Sequence, residues 1–130
     1  MKYTLYALLM AGSIVGSNCT IAQTTKPVIE LDVKAFSTAM GRDQVQLVDV
    51  RTPAEYAAGH LIGSVNIDWT AEDYEAAFAK LDKSKPVLLY CHSGGRSEQA
   101  LGHLLEQGYK AQHLVGGYAA WKQAGLATVK

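Results

Sequence analysis

The chain has little of what defines the extreme classes of protein. It holds two cysteines, Cys19 and Cys91, too few for the disulfide framework of a small stapled domain. Three prolines and 12 glycines, without internal repeat or low-complexity run, exclude a collagen-like fibre and a disordered tail. Net charge is absent: 12 Lys+Arg stand against 12 Asp+Glu, so no basic field exists to hold a nucleic-acid backbone. The four histidines are scattered and lack ligand spacing with the cysteines, so neither metal nor cofactor is expected. What is present is ordinary: 130 residues, 48% hydrophobic and 18% charged, the size and composition of one globular domain.

The N-terminus reads as an export signal over residues 1–22. Lys2 gives a short positive region, and residues 5–15 form an apolar stretch about half the ~20 residues that a bilayer span needs. Thr20-Ile21-Ala22 places small residues three and one before a cut that would make Gln23 the new terminus. Two alternatives stand beside this reading, an uncleaved anchor and lipidation of Cys19, although Asn18 occupies a position where lipidation sites favour a small residue. Cleavage leaves 108 of the 130 residues and removes Lys2 and Cys19, so that eleven cations face twelve carboxylates and Cys91 is the sole thiol. The expected product is an exported, periplasmic protein with no membrane segment after cleavage.

Residues 23–27 read as a polar lead-in. Strand candidates follow at 28–31, 46–50, 87–90 and 111–115, β-branched or largely apolar as in a parallel sheet covered on both faces. Helices are expected at about 33–40 with Asp32 as N-cap, at 54–58 after Pro53, from about 70 to 81 with Thr70 and Asp73 as a capping box, from Arg96 or Ser97 to a stop at Gly108, and at 118–124. Residues 60–67 read as an irregular extended segment, and Gly116-Gly117 as a turn. Alternating strands and helices imply a parallel α/β sheet.

Ligands in open parallel sheets bind beyond the carboxyl ends of the strands, and Cys91 lies at such an end. His92-Ser93-Gly94-Gly95 follows as a loop, then a helix. Loop N–H groups, the helix N-terminus, Arg96 and His92 all favour a thiolate at Cys91 over a thiol. The alternative on residue type alone is a small buried hydrophobe. Two adjacent glycines followed by a cation and a helix start do not serve to fill a core, and they favour the reactive reading.

Three blocks then resemble the single-domain rhodanese family of sulfurtransferases. The first runs from Asp49-Val50-Arg51 through Glu55 to Gly59-His60-Leu61-Ile62-Gly63 and Asn66-Ile67. The second is Tyr90-Cys91-His92-Ser93-Gly94-Gly95-Arg96-Ser97, and the third Leu114-Val115-Gly116-Gly117-Tyr118-Ala119-Ala120-Trp121. The resemblance spans residues 28–126. It implies a rhodanese-like three-layer α/β domain with a five-stranded parallel sheet and helices on both faces. It implies Cys91 as nucleophile, passing sulfane sulfur from thiosulfate or a persulfide donor to cyanide, a small thiol or a protein acceptor through a Cys91 persulfide. His92, Ser93, Gly94, Gly95 and Arg96 would form the substrate cradle, with Gly94 and Gly95 chosen for positive φ or close approach. Asp49, Arg51 and Ser97 would brace the loop, with a surface salt bridge as the plainer alternative for Asp49 and Arg51. Arg96 is open between binding the donor and tying the loop to the scaffold. His60, Trp69 and Trp121 read as structural.

His92 stands where some sulfurtransferases carry a strong cation, which leaves thiosulfate and a persulfide as equal donor candidates. A phosphatase of the same fold would need Cys-x5-Arg. Cys91 to Arg96 is Cys-x4-Arg, one residue short, which shrinks the cradle. A third reading is a sulfur-carrier or redox-sensing module with little turnover of its own.

Overall fold

The computed structural model describes residue 16 and residues 27–130; the rest of the segment expected to be an export signal, Cys19 included, lies outside the described residues. Five strands, β1 (Glu30–Leu31), β2 (Gln46–Asp49), β3 (Val65–Asn66), β4 (Val87–Tyr90) and β5 (Ala111–Leu114), form one sheet in the order β1-β5-β4-β2-β3. Every pairing is parallel. The helices are α1 (Val33–Met40), α2 (Pro53–Ala58), α3 (Tyr74–Phe78), α4 (Gly95–Glu106) and α5 (Gly117–Gln123). β3 is the strand hidden in the segment expected to be irregular: two residues carry no readable period, and pairing with β2 alone makes them a strand.

β4 sits at the centre and sorts its side chains by alternation. Val87, Leu89 and Cys91 enter one core with Phe78 of α3 and Ala100, Leu101 and Leu104 of α4. Leu88 and Tyr90 enter the other with Phe36 of α1 and Tyr118 and Trp121 of α5. The result is helix, sheet, helix. Leu88, Leu89, Leu104 and Leu114 are fully buried, and each contributes about 1.5–3 kcal/mol relative to exposure.

Local capping explains the starts of α1 and α2. Asp32 accepts the Ala35 N–H at 2.8 Å, as expected. The expected Thr70–Asp73 box does not form. Asp68 captures both the N–H and the hydroxyl of Thr70, the chain turns there, and α3 begins only at Tyr74. The true capping box is at the start of α2, where Thr52 and Glu55 exchange side-chain and backbone bonds ahead of Pro53 at the first helical position. Among the described residues no helix is long and apolar enough to cross a membrane.

Candidate functional site

Beyond the carboxyl end of β4 the chain turns through Cys91, His92, Ser93 and Gly94 into α4. Gly94 has φ +111°, which favours glycine, and a Cβ there would crowd the Gly116 nitrogen at 3.3 Å. Its N–H donates to Cys91 Sγ at 3.0 Å. Burial pushes the Cys91 thiol up. Hydrogen bonding from Ser97, Gly94 and Ser93 stabilises the anion and outweighs burial, so the pKa falls below the ordinary thiol value. Gly94 caps α4 without a side chain, which leaves the first amides of the helix free to face an anion.

Cys91 lies at the carboxyl end of the strand, as expected, and is 1% exposed. The sulfur lies on the loop floor, while His92 and Ser93 are exposed. Gly95 also departs from expectation. It is the first residue of α4, its φ is not positive, and an added Cβ would meet nothing within 4 Å. Only Gly94 of the pair meets the conformational argument.

The loop is held from below by α5. The Tyr118 N–H donates to the Cys91 carbonyl at 2.7 Å, and the Ala119 N–H to the His92 carbonyl at 2.9 Å. Gly117, at φ +60°, permits this approach: a Cβ would stand 2.5–2.6 Å from the Cys91 oxygen and the His92 carbonyl. Gly117, Tyr118 and Ala119 were not singled out from sequence as loop supports. Their signal was the Gly116-Gly117 pair, whose partner is set by tertiary contact.

Asp49 and Arg51 form a buried pair rather than a surface one. Arg51 Nη2 donates to Asp49 Oδ2 and to the Gly59 carbonyl, both at 2.6 Å. The guanidinium lies 4.2 Å from the Tyr118 ring centroid. These two residues therefore reach the Cys91 loop through Tyr118. Arg96 makes a two-nitrogen contact with Glu55 at 2.8 and 2.9 Å, the geometry of a tie between loop and scaffold. The Arg96 guanidinium in turn holds the Glu55 carboxyl far below the usual carboxylate range. Ser97 is buried, donating to the Gly94 carbonyl. A cleft of about 310 Å³ opens beside the loop, lined by Arg51, Glu55, Ala58, Gly59, His92, Tyr118 and Lys122. Glu55 and Lys122 were also absent from the sequence-based site, since nothing local marks them as facing it. His60 stacks on Tyr56, Trp121 is buried in the α5 core, and Trp69 packs on Tyr74. Among the described residues no group of His, Cys, Asp and Glu could hold a metal.

The family profile described as "Rhodanese-like domain" matches residues 32–124. The chain belongs to the rhodanese family. A relative from Allochromatium vinosum named "Sulfurtransferase" is 36% identical over 104 residues, covering 78% of this chain and 95% of that protein. A thiosulfate sulfurtransferase of Coxiella burnetii is 35% identical over 92 residues, covering 69% and 82%. The crystal structure of a rhodanese-related protein from Thermoplasma volcanium has a TM-score of 0.70 at 23% identity, covering 77% and 96%, a likeness of fold. The five-stranded parallel sheet with helices on both faces is thus the rhodanese fold, and the Cys91 loop lies at the carboxyl ends of its strands.

Proposed function

We propose that this rhodanese is a sulfurtransferase in which Cys91 carries the sulfur. The observation that supports this best is the buried Cys91 Sγ, with the Gly94 N–H at 3.0 Å and an uncapped helix start facing it. In the first half-reaction the Cys91 thiolate attacks the sulfane sulfur of thiosulfate. A new S–S bond forms, the old one breaks, and its electron pair leaves with sulfite; three negative charges enter and three remain. In the second, cyanide or a thiolate attacks the outer sulfur and Cys91 leaves as thiolate. No external oxidant or reductant is needed. The amides of Ser93, Gly94 and Ser97 would hold the persulfide anion as they hold the thiolate. Arg96 braces the loop through Glu55. Lys122 and His92 give the cleft its receiving edge for an anionic donor: both guanidinium groups at the site are paired with carboxylates, whereas none of the described carboxylates pairs with Lys122.

Incubation of the purified chain with thiosulfate is expected to add about 32 Da, one sulfur, and Cys91→Ala to abolish the addition. A folded wild-type protein that never gains this mass with thiosulfate or a persulfide would end the proposal. The 1% exposure of Cys91 favours a second reading, a sulfur carrier that loads and then waits for a partner. Steady turnover with thiosulfate and cyanide separates the two, because a carrier forms the persulfide without brisk release. Residues 1–22 are read as an export signal to the periplasm, and mass spectrometry of the mature protein is expected to show Gln23 as its first residue.

A further inference from the structure

Beneath the Cys91 loop lies a buried polar pair with one atom left over. Ser97 Oγ and His113 Nδ1 are 2.9 Å apart, and Ser97 Oγ is also 3.1 Å from the Gly94 carbonyl. Both residues are buried, Ser97 fully and His113 at 3% exposure. Among buried side-chain nitrogens and oxygens, His113 Nε2 has no hydrogen-bond partner within the described residues. His113 lies on β5 between Glu30 of β1 and Leu89 of β4 in register, one residue before the third motif block. Its role as a supporting group was not part of the sequence reading.

Proton counting fixes the arrangement. A serine hydroxyl has one hydrogen. The Gly94 carbonyl can only accept, so the Ser97 proton points to it, and His113 must supply the hydrogen of the Ser97–His113 contact. The imidazole is then protonated on Nδ1 and bare on Nε2. This is also the less costly tautomer, because the orphaned atom is then a lone pair rather than a buried N–H donor. The charged groups acting on the ring are Glu30 from β1 and Glu98 from α4; burial outweighs both and lowers its pKa, which keeps the ring neutral at pH 7. Arg96 is the cation whose charge interacts with Cys91.

We infer that His113 is a positioning residue for the Cys91 loop: its Nδ1–H occupies a lone pair of Ser97 Oγ and commits the one Ser97 proton to the Cys91–Gly94 turn. The inference builds on the proposed role of Cys91, but it concerns the state of the sulfur and is read without any transfer assay. Replacing the imidazole by an apolar group frees Ser97 to rotate off the Gly94 carbonyl and loosens the turn that aims the Gly94 N–H at Cys91 Sγ. Losing one such bond of about 0.5–1.5 kcal/mol corresponds to roughly 0.4–1 pH unit.

The test is the pH dependence of alkylation by iodoacetamide, followed on the Cys91 peptide by mass spectrometry so that Cys19 is counted separately. His113→Leu is expected to raise the midpoint by about half a unit or more, and His113→Asn, which keeps an N–H on a short side chain, to stay close to wild type. In a Ser97→Ala background His113→Leu is expected to add nothing. An unmoved midpoint in folded His113→Leu, or an equal shift without Ser97, overturns the inference. Should His113→Leu fail to fold, the ¹⁵N shifts of the wild-type ring decide: Nδ1 protonated and Nε2 bare is expected, and the opposite tautomer overturns it. Failure of sulfur transfer with these shifts intact would sink the proposed function and leave the positioning role standing.

Discussion

At the scale of single residues, the proposed chemistry turns on a competition at Cys91. Burial opposes the thiolate, and hydrogen bonding from Ser97, Gly94 and Ser93 favours it. Because the folded pKa is lowered, the thiolate persists to lower pH than in the unfolded chain. The rate of alkylation at Cys91 is therefore expected to have a lower pH midpoint in the native protein than after unfolding in urea. The linked stability is present above the unfolded thiol value, about 8.5, and is lost as pH falls through the folded one. A native midpoint at or above the unfolded one would contradict the donor geometry. Cys91, His92 and Ser93 were legible as a candidate site because a thiol, a short loop and a helix start are adjacent in the chain. That the sulfur sits on the floor of that loop was not, since exposure depends on how α4 and α5 close around it.

Among the elements, the glycines separate two kinds of constraint. Gly94 combines φ +111° with a close backbone neighbour, whereas Gly95 is an ordinary first helical residue facing open space. Gly94→Ala is expected to cost at least about 1 kcal/mol by urea unfolding and to slow Cys91 alkylation, while Gly95→Ala leaves both within ~0.5 kcal/mol or twofold of wild type. α5 contributes in two ways: its first amides clamp the loop carbonyls, and Lys122 near its end faces the cleft. Lys122→Ala is expected to raise KM for thiosulfate about three- to tenfold with little change in kcat, and the gap should narrow at high salt. An unchanged KM would remove Lys122 from donor binding. The helix periods made α1 and α4 readable in the sequence. The Thr70–Asp73 expectation failed because a nearer carboxylate, Asp68, took the Thr70 donors first.

Across the whole molecule, the buried Asp49–Arg51 pair joins β2, the Gly59 turn and the Tyr118 ring. Removing one partner strands a buried charge, so Asp49→Leu is expected to cost about 3–5 kcal/mol by urea denaturation. The same variant should also loosen the Cys91 loop, through Arg51 and Tyr118, as faster hydrogen exchange at the Gly94 amide. A surface pair would give neither result. This connection runs between segments far apart in the chain, and local pattern carries no trace of it.

The sequence by itself determined the parallel α/β class, the order of the main elements and the choice of the Cys91 loop as the candidate site, because periodicity, caps and a glycine-flanked cysteine are local properties. Tertiary structure alone decided the pairing of β3, the burial of the sulfur, the tie of Arg96 to Glu55 and the support of Ser97 by His113. Each of these depends on which distant side chain arrives within hydrogen-bond reach, and that is set by the closure of the sheet and its two helical layers.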